Sequence, residues 1–126
     1  MTGLGNRVHI FAHPRFREDL IEFFTNTLGC QIVSTPGAAS LPVSIVAFLF
    51  TNGASLSVEF TEDALDESQA RRAAYLEIES DDPDALKQRI IEAGLPKVQY
   101  FGTGYFYFAA PGGQVMRIAP IRQTEV

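Results

Sequence analysis

The chain is poor in the features that define several large protein classes. Its only cysteine is Cys30, so no internal disulfide can form. No catalytic signature surrounds that thiol, and a small buried hydrophobe is its expected role. A reducing, cytoplasmic setting is the matching expectation. Basic residues are few, 10 Lys and Arg against 15 Asp and Glu, and they are scattered. The net charge of −5 and the lack of a basic stripe leave no footprint for nucleic acid. The longest apolar stretch, at 43–50, is too short to span a bilayer. Residues 1–7 have neither the basic nor the apolar region of a signal peptide. Tryptophan is absent, and the aromatic share of 11% is carried by Phe and Tyr.

What is present describes a globular domain. With 126 residues, 46% hydrophobic and 20% charged, the chain can bury a real core and shows no sign of disorder. A strand is expected over 7–13, alternating and stopping at Pro14. A helix follows over 16–28, with Phe16, Leu20, Phe23, Phe24 and Leu28 on one stripe. Gly29 sits where a left-handed residue closes it. Strands are expected at 31–34, 43–50 and 55–61. A small-residue loop falls at 36–40, and an Asn52-Gly53 hairpin turn of type I′ joins the last two strands. Residues 62–72 read as a linker with a possible helical turn.

The same plan then recurs. A strand at 73–79 leads to a helix opened by Asp82 as N-cap and Pro83 at the first position. Its stripe is Leu86, Ile90 and Ile91, and Gly94 lies near its end. Strands follow at 98–101, 104–109 and 114–119, separated by turns at 102–104 and 111–113. Placing His9 over Tyr75 brings Leu20 over Leu86 and Phe24 over Ile90, a repeat in register. The expected fold is α+β: one domain over 1–126 made of tandem βαβββ modules, about 5–62 and 72–120. They should form a curled mixed sheet with the helices on its outer face.

Alternation sorts each strand into two faces. Val8, Ile10 and Ala12, Leu56, Val58 and Phe60, Leu76 and Ile78, and Met116 and Ile118 form the apolar set under the helices. The other face carries His9, Phe11, Ser57, Glu59, Tyr75, Glu77 and Arg117, joined by Tyr105 and Tyr107. A curled sheet would gather these into a cup with apolar walls and a few polar groups, the usual form of a ligand site. His13, ending a strand before Pro14, is expected to cap rather than to ligate.

The opening strand with His9, the segment 21–29, Ser57-Val58-Glu59-Phe60, the stretch 75–94 and the ending Ala-Pro-Gly-Gly-Gln-Val-Met-Arg-Ile together resemble the vicinal oxygen chelate superfamily. That superfamily includes glyoxalase I, bleomycin-resistance proteins and extradiol dioxygenases, and the resemblance covers nearly the whole chain. It implies four metal-ligand positions on the first, fourth, fifth and eighth strands. They are held here by His9, Glu59, Tyr75 and Arg117. Arg is a permanent cation with no lone pair to donate, so no metal or other cofactor is expected. Arg117 would stand in for the ion's charge and pair with Glu59 or Glu77.

The resemblance then implies a metal-free small-molecule binder. The acidic residues and the Tyr105/Tyr107 face suit a cationic, planar ligand. The alternative is a lyase, isomerase or oxygenase of the same superfamily. It would use a non-standard metal site of His9, Glu59 and Glu77, or metal-independent chemistry with Glu59 or His9 as catalytic base. A homodimer is implied by the family and by open strand edges, with no nucleic-acid or membrane partner.

Overall fold

The computed structural model describes residues 1–33, 44–100 and 104–122. The chain divides into two compact units, Met1–Leu65 and Asp66–Val126. The loop expected at 36–40, the residues 34, 43 and 101 at the ends of expected strands, and positions 102–103 of an expected turn lie outside the described residues.

The first unit runs β1 (Arg7–Ala12), α1 (Arg17–Glu22), β2 (Gln31–Ile32), β3 (Ile45–Leu49) and β4 (Ser55–Phe60). Its sheet order is β1-β4-β3-β2. The last strand enters between the first and third, parallel to β1 and antiparallel to β3. In the second unit a short helix, α2 (Glu67–Ala70), precedes β5 (Tyr75–Ser80), α3 (Pro83–Glu92), β6 (Lys97–Val98), β7 (Phe106–Ala109) and β8 (Val115–Pro120). Its order, β5-β8-β7-β6, repeats the first. The tandem βαβββ modules are therefore present strand for strand. Their hydrogen bonding makes two four-stranded mixed sheets, each an α+β layer pair.

The helix stripes face the core as their spacing requires. Leu20 and Phe24 are buried in one unit and Leu86 and Ile90 in the other. Phe24 stacks on Phe48 of β3 with ring centroids 4.5 Å apart. Ile91, placed on the stripe by its sequence position, is half exposed. The helix is only ten residues long, and its apolar face is narrower than three residues. Asp82 accepts from Ala85 N–H at 3.1 Å, with Pro83 following, so this helix starts as its cap predicts. His13 accepts from Arg15 N–H at 3.1 Å and caps the turn that leads into α1.

Two local expectations are corrected. The helix over 16–28 changes pitch: a 3-10 turn at Pro14–Phe16, then α1, then a π-helical stretch at Phe23–Thr27. Thr25 Oγ1 donates to Ile21 O at 2.6 Å and competes with the backbone ladder. Leu28 N–H then reaches back to Phe23 O. The wider turn buries Phe23 and Phe24 side by side.

The β3–β4 hairpin is not type I′. Gly53 alone has positive φ, at 89°. Phe50 N–H donates to Ala54 O, and Gly53 N–H to Phe50 O. These bonds make a three-residue loop that ends in a left-handed glycine. Asn52 uses its side-chain oxygen to accept from Ala54 N–H instead. Among the described residues no helix is long and apolar enough to cross a membrane.

Candidate functional site

In the first unit, register sets the open face. His9 lies opposite Ser57, and Phe11 opposite Glu59, on the parallel pair β1–β4. The His9 ring bridges two side chains of β4, with Nδ1 2.6 Å from Ser57 Oγ and Nε2 3.2 Å from Glu59 Oε1. An ionised carboxylate only accepts, so Nε2 carries the proton. In the neutral ring Nδ1 then accepts from the Ser57 hydroxyl. Phe11 holds the imidazole edge-on, at 5.0 Å between centroids. Beside this trio is an open depression of about 350 Å³ lined by Phe11, Glu59, Thr61, Asp63, Ala64 and Leu65. Its walls combine two carboxylates with apolar groups.

In the second unit, parallel pairing of β5 with β8 sets Glu77 opposite Arg117, and β7 sets Tyr107 opposite Arg117 from the other side. Arg117 donates from Nε and Nη2 to the same oxygen, Glu77 Oε2, at 2.8 and 2.5 Å. Its Nη1 donates to Tyr107 Oη at 3.4 Å. The guanidinium lies over the Tyr105 ring at 4.3 Å and the Tyr75 ring at 5.2 Å. The hydrogen bonds to Tyr107 and Glu77 raise its pKa further above an already high value, so the positive charge is permanent. Of the two carboxylates offered as partners, Glu77 takes the guanidinium and Glu59 turns to His9.

The anticipated site residues thus form two clusters, His9, Phe11, Ser57 and Glu59 in the first unit and Tyr75, Glu77, Tyr105, Tyr107 and Arg117 in the second. Sequence reasoning missed Tyr100, whose ring packs on Tyr107 at 4.6 Å and near Tyr75 at 6.3 Å. A compositional signal was available: every tyrosine of the chain falls between 75 and 107. It also missed Asp63, Ala64 and Leu65 of the depression, because a linker offers no alternation from which to read a face.

The positions that the resemblance gives to metal ligands hold His9, Glu59, Tyr75 and Arg117. The eighth-strand position holds a guanidinium, and Glu77, the one candidate replacement ligand, already accepts two charge-assisted hydrogen bonds from it. Within neither unit do the described residues include three or more His, Cys, Asp or Glu side chains grouped to hold an ion. Cys30 is buried, and its burial pushes the thiol up to about 11, which keeps it protonated and unreactive.

No family model matches the chain, and no curated protein matches it. Solved structures do. A putative glyoxalase family protein from Bacillus anthracis aligns with a TM-score of 0.70 at 16% identity, over 94% of this chain and 93% of its own. A possible glyoxalase from Bacillus cereus gives 0.67 at 16%, over 92% and 98%. The genomically encoded fosfomycin resistance protein FosX from Listeria monocytogenes, complexed with Mn(II) and a sulfate ion, gives 0.69 at 12%, over 95% and 90%. At such identities the likeness is one of fold, and it extends nearly from end to end. The chain shares its fold with these glyoxalase family and fosfomycin resistance proteins.

Proposed function

We propose that the protein is a small-molecule binding member of this fold that works without the superfamily's metal. The observation that carries the reading is Arg117, a permanent cation at the position of the eighth-strand ligand, bound through Nε and Nη2 to one oxygen of Glu77. A guanidinium there supplies the positive charge an ion would bring, and in a poorly screened site it repels one. The Mn(II) of FosX is therefore not carried over. The first unit adds a polar trio and a depression with carboxylate and apolar walls, which suit a ligand with a hydrogen-bond donor on an apolar body. The reading includes a cytoplasmic homodimer, and light scattering that finds a monomer would remove that element.

Metal analysis of protein purified without chelator tests the proposal. The expected result is substoichiometric Mn, Fe, Ni and Zn, and no rise in melting temperature with added Mn(II). Near-stoichiometric metal would overturn it, because a bound ion stabilises the native state by mass action.

A second reading is favoured by the 2.6 Å contact between His9 and Ser57 and the 3.2 Å contact between His9 and Glu59. This is metal-independent acid/base catalysis with Glu59 or His9 moving a proton in a lyase or isomerase reaction. Turnover that survives chelation and is lost in Glu59→Gln would select it over simple binding.

A further inference from the structure

All four tyrosines of the chain, Tyr75, Tyr100, Tyr105 and Tyr107, gather around one ion pair in the second unit. Of the chain's ten phenylalanines, Phe23, Phe24, Phe48, Phe60 and Phe108 are buried in the core. A phenol is favoured over a phenyl ring where one end meets water or a partner. Tyr107 is buried, whereas Tyr75, Tyr100 and Tyr105 are 44%, 43% and 44% exposed. Three large aromatic surfaces are thus presented around the guanidinium of Arg117, which lies over two of them.

The charge and hydrogen-bond balance of this cluster selects its ligand. The cation slot is already filled, since Arg117 lies over one face each of Tyr75 and Tyr105, and a second cation would be repelled. An anion would have to compete with Glu77 for the guanidinium. The pair is neutral as a whole and suits a neutral ligand. Glu77 Oε2 takes both strong hydrogen bonds, and among the described residues Oε1 has no partner. The guanidinium has five N–H groups. Two go to Glu77, and one makes the long contact to Tyr107. The pair therefore presents N–H donors beside a carboxylate acceptor, with side chains still 17% and 24% exposed.

We propose that this cluster binds a neutral, planar heteroaromatic ring bearing a lactam edge. The ring stacks on the exposed tyrosines, its N–H donates to Glu77 Oε1, and its carbonyl accepts from Arg117. The inference rests on the metal-free binding reading and names the ligand class for it. It also revises the cationic ligand expected from the acidic residues and the tyrosine face.

The chain's own emission reports on the site, because it has no tryptophan and all its tyrosines are in the cluster. Calorimetric titration with lumichrome, a neutral tricyclic lactam, is expected to show saturable binding accompanied by tyrosine quenching. Acridine, which lacks the lactam, proflavine, a planar cation, and 2-naphthoate, a planar anion, should each bind about tenfold more weakly or worse. Tyr105→Leu should weaken lumichrome by about tenfold, the scale of one stacking contact. Tyr100→Ala, at an exposed site, gives the same test if the first variant fails to fold.

Proflavine binding as tightly as lumichrome would overturn the inference while leaving a metal-free binder. So would lumichrome affinity unchanged in both variants, or no saturable binding to metal-free protein. Stoichiometric metal in the same sample would instead remove the reading on which the inference rests.

Discussion

Across three strands of the first unit, one row of the open face reads Phe11, Glu59 and Ile45; the corresponding row of the second reads Glu77, Arg117 and Tyr107. The neighbouring row is His9, Ser57 and Ala47 in one and Tyr75, Val115 and Ala109 in the other. On the helix side the match is chemical as well as positional: Ile10, Val58 and Val46 answer to Leu76, Met116 and Phe108. The repeated frame is thus held by apolar rows that must exclude water whatever the function. The open rows differ in chemistry instead: where the first unit has Glu59, the equivalent position of the second holds Arg117. The first unit keeps a polar trio beside a depression, while the second closes its charge internally under aromatic rings.

The largest expected effects fall on the shared frame. Phe24→Ala should cost about 3–5 kcal/mol and Ile90→Ala about 2–5 kcal/mol, from lost transfer energy and the cavity left behind. Both side chains are fully buried at equivalent points of the two helices. Urea unfolding followed by circular dichroism measures the loss. A cost below about 1 kcal/mol for either would show that its helix is not an anchor, and the equivalence of the frames would fail.

The β-turns before the last strand of each unit sharpen the contrast. Gly53 and Gly113 both have positive φ, but only Gly113 is crowded. A Cβ there would lie 2.6 Å from the Glu67 carbonyl oxygen, whereas nothing approaches within 4 Å at Gly53. Gly53→Ala should cost about 1–2 kcal/mol for the left-handed backbone alone. Gly113→Ala adds a backbone clash and should cost about 3 kcal/mol. Equal losses in the same urea assay would mean that α2 yields freely and does not rest on this turn.

Much of the frame could be read in advance because it depends on neighbours in sequence. Gly29, the Asp82-Pro83 start and the Leu20/Leu86 spacing are local signals with local causes. The hairpin at Asn52 was misread because Asn has a second option, a side-chain hydrogen bond, that needs no positive φ. The π-helical stretch depends on one hydroxyl of Thr25 choosing a carbonyl four residues back. On the open face, alternation identified the residues but not their pairing. Arg117 meets Glu77 because β5 lies directly beside β8 in parallel register, a fact of sheet order. Tyr100 lay inside the strand expected at 98–101 but was not sorted to a face there, and β6 itself ends before it, at Val98.

Cys30 offers a titration confined to the first unit, since Pro96 stands at the matching place in the second. Burial raises the thiol from 9.0 to about 11. The unfolded chain loses this proton first, so between about pH 9 and 11 the native state binds more protons and stability falls with rising pH. The contribution is full below pH 9 and should decline by about 2–3 kcal/mol across that window. Subtracting the profile of Cys30→Val isolates it from the other groups that titrate there. Identical profiles would show that the thiol is not the source.

The smallest effect should come from the bridge between His9 and Glu59. Their side chains are 38% and 37% exposed, so water screens the pair and both residues lose rotamer freedom in forming it. A double-mutant cycle of His9→Gln and Glu59→Gln should give a coupling of about 0.2–1 kcal/mol, shrinking as salt is raised. The low value has a meaning for the comparison with Arg117. A weakly coupled pair on an open face can exchange its partner for a ligand at little cost, whereas the guanidinium is held by two hydrogen bonds to one carboxylate oxygen and by tyrosine rings. If the His9–Glu59 coupling exceeded about 2 kcal/mol, the trio would have to be treated as a fixed structural element. The first unit would then lose its claim to the more adaptable of the two open faces.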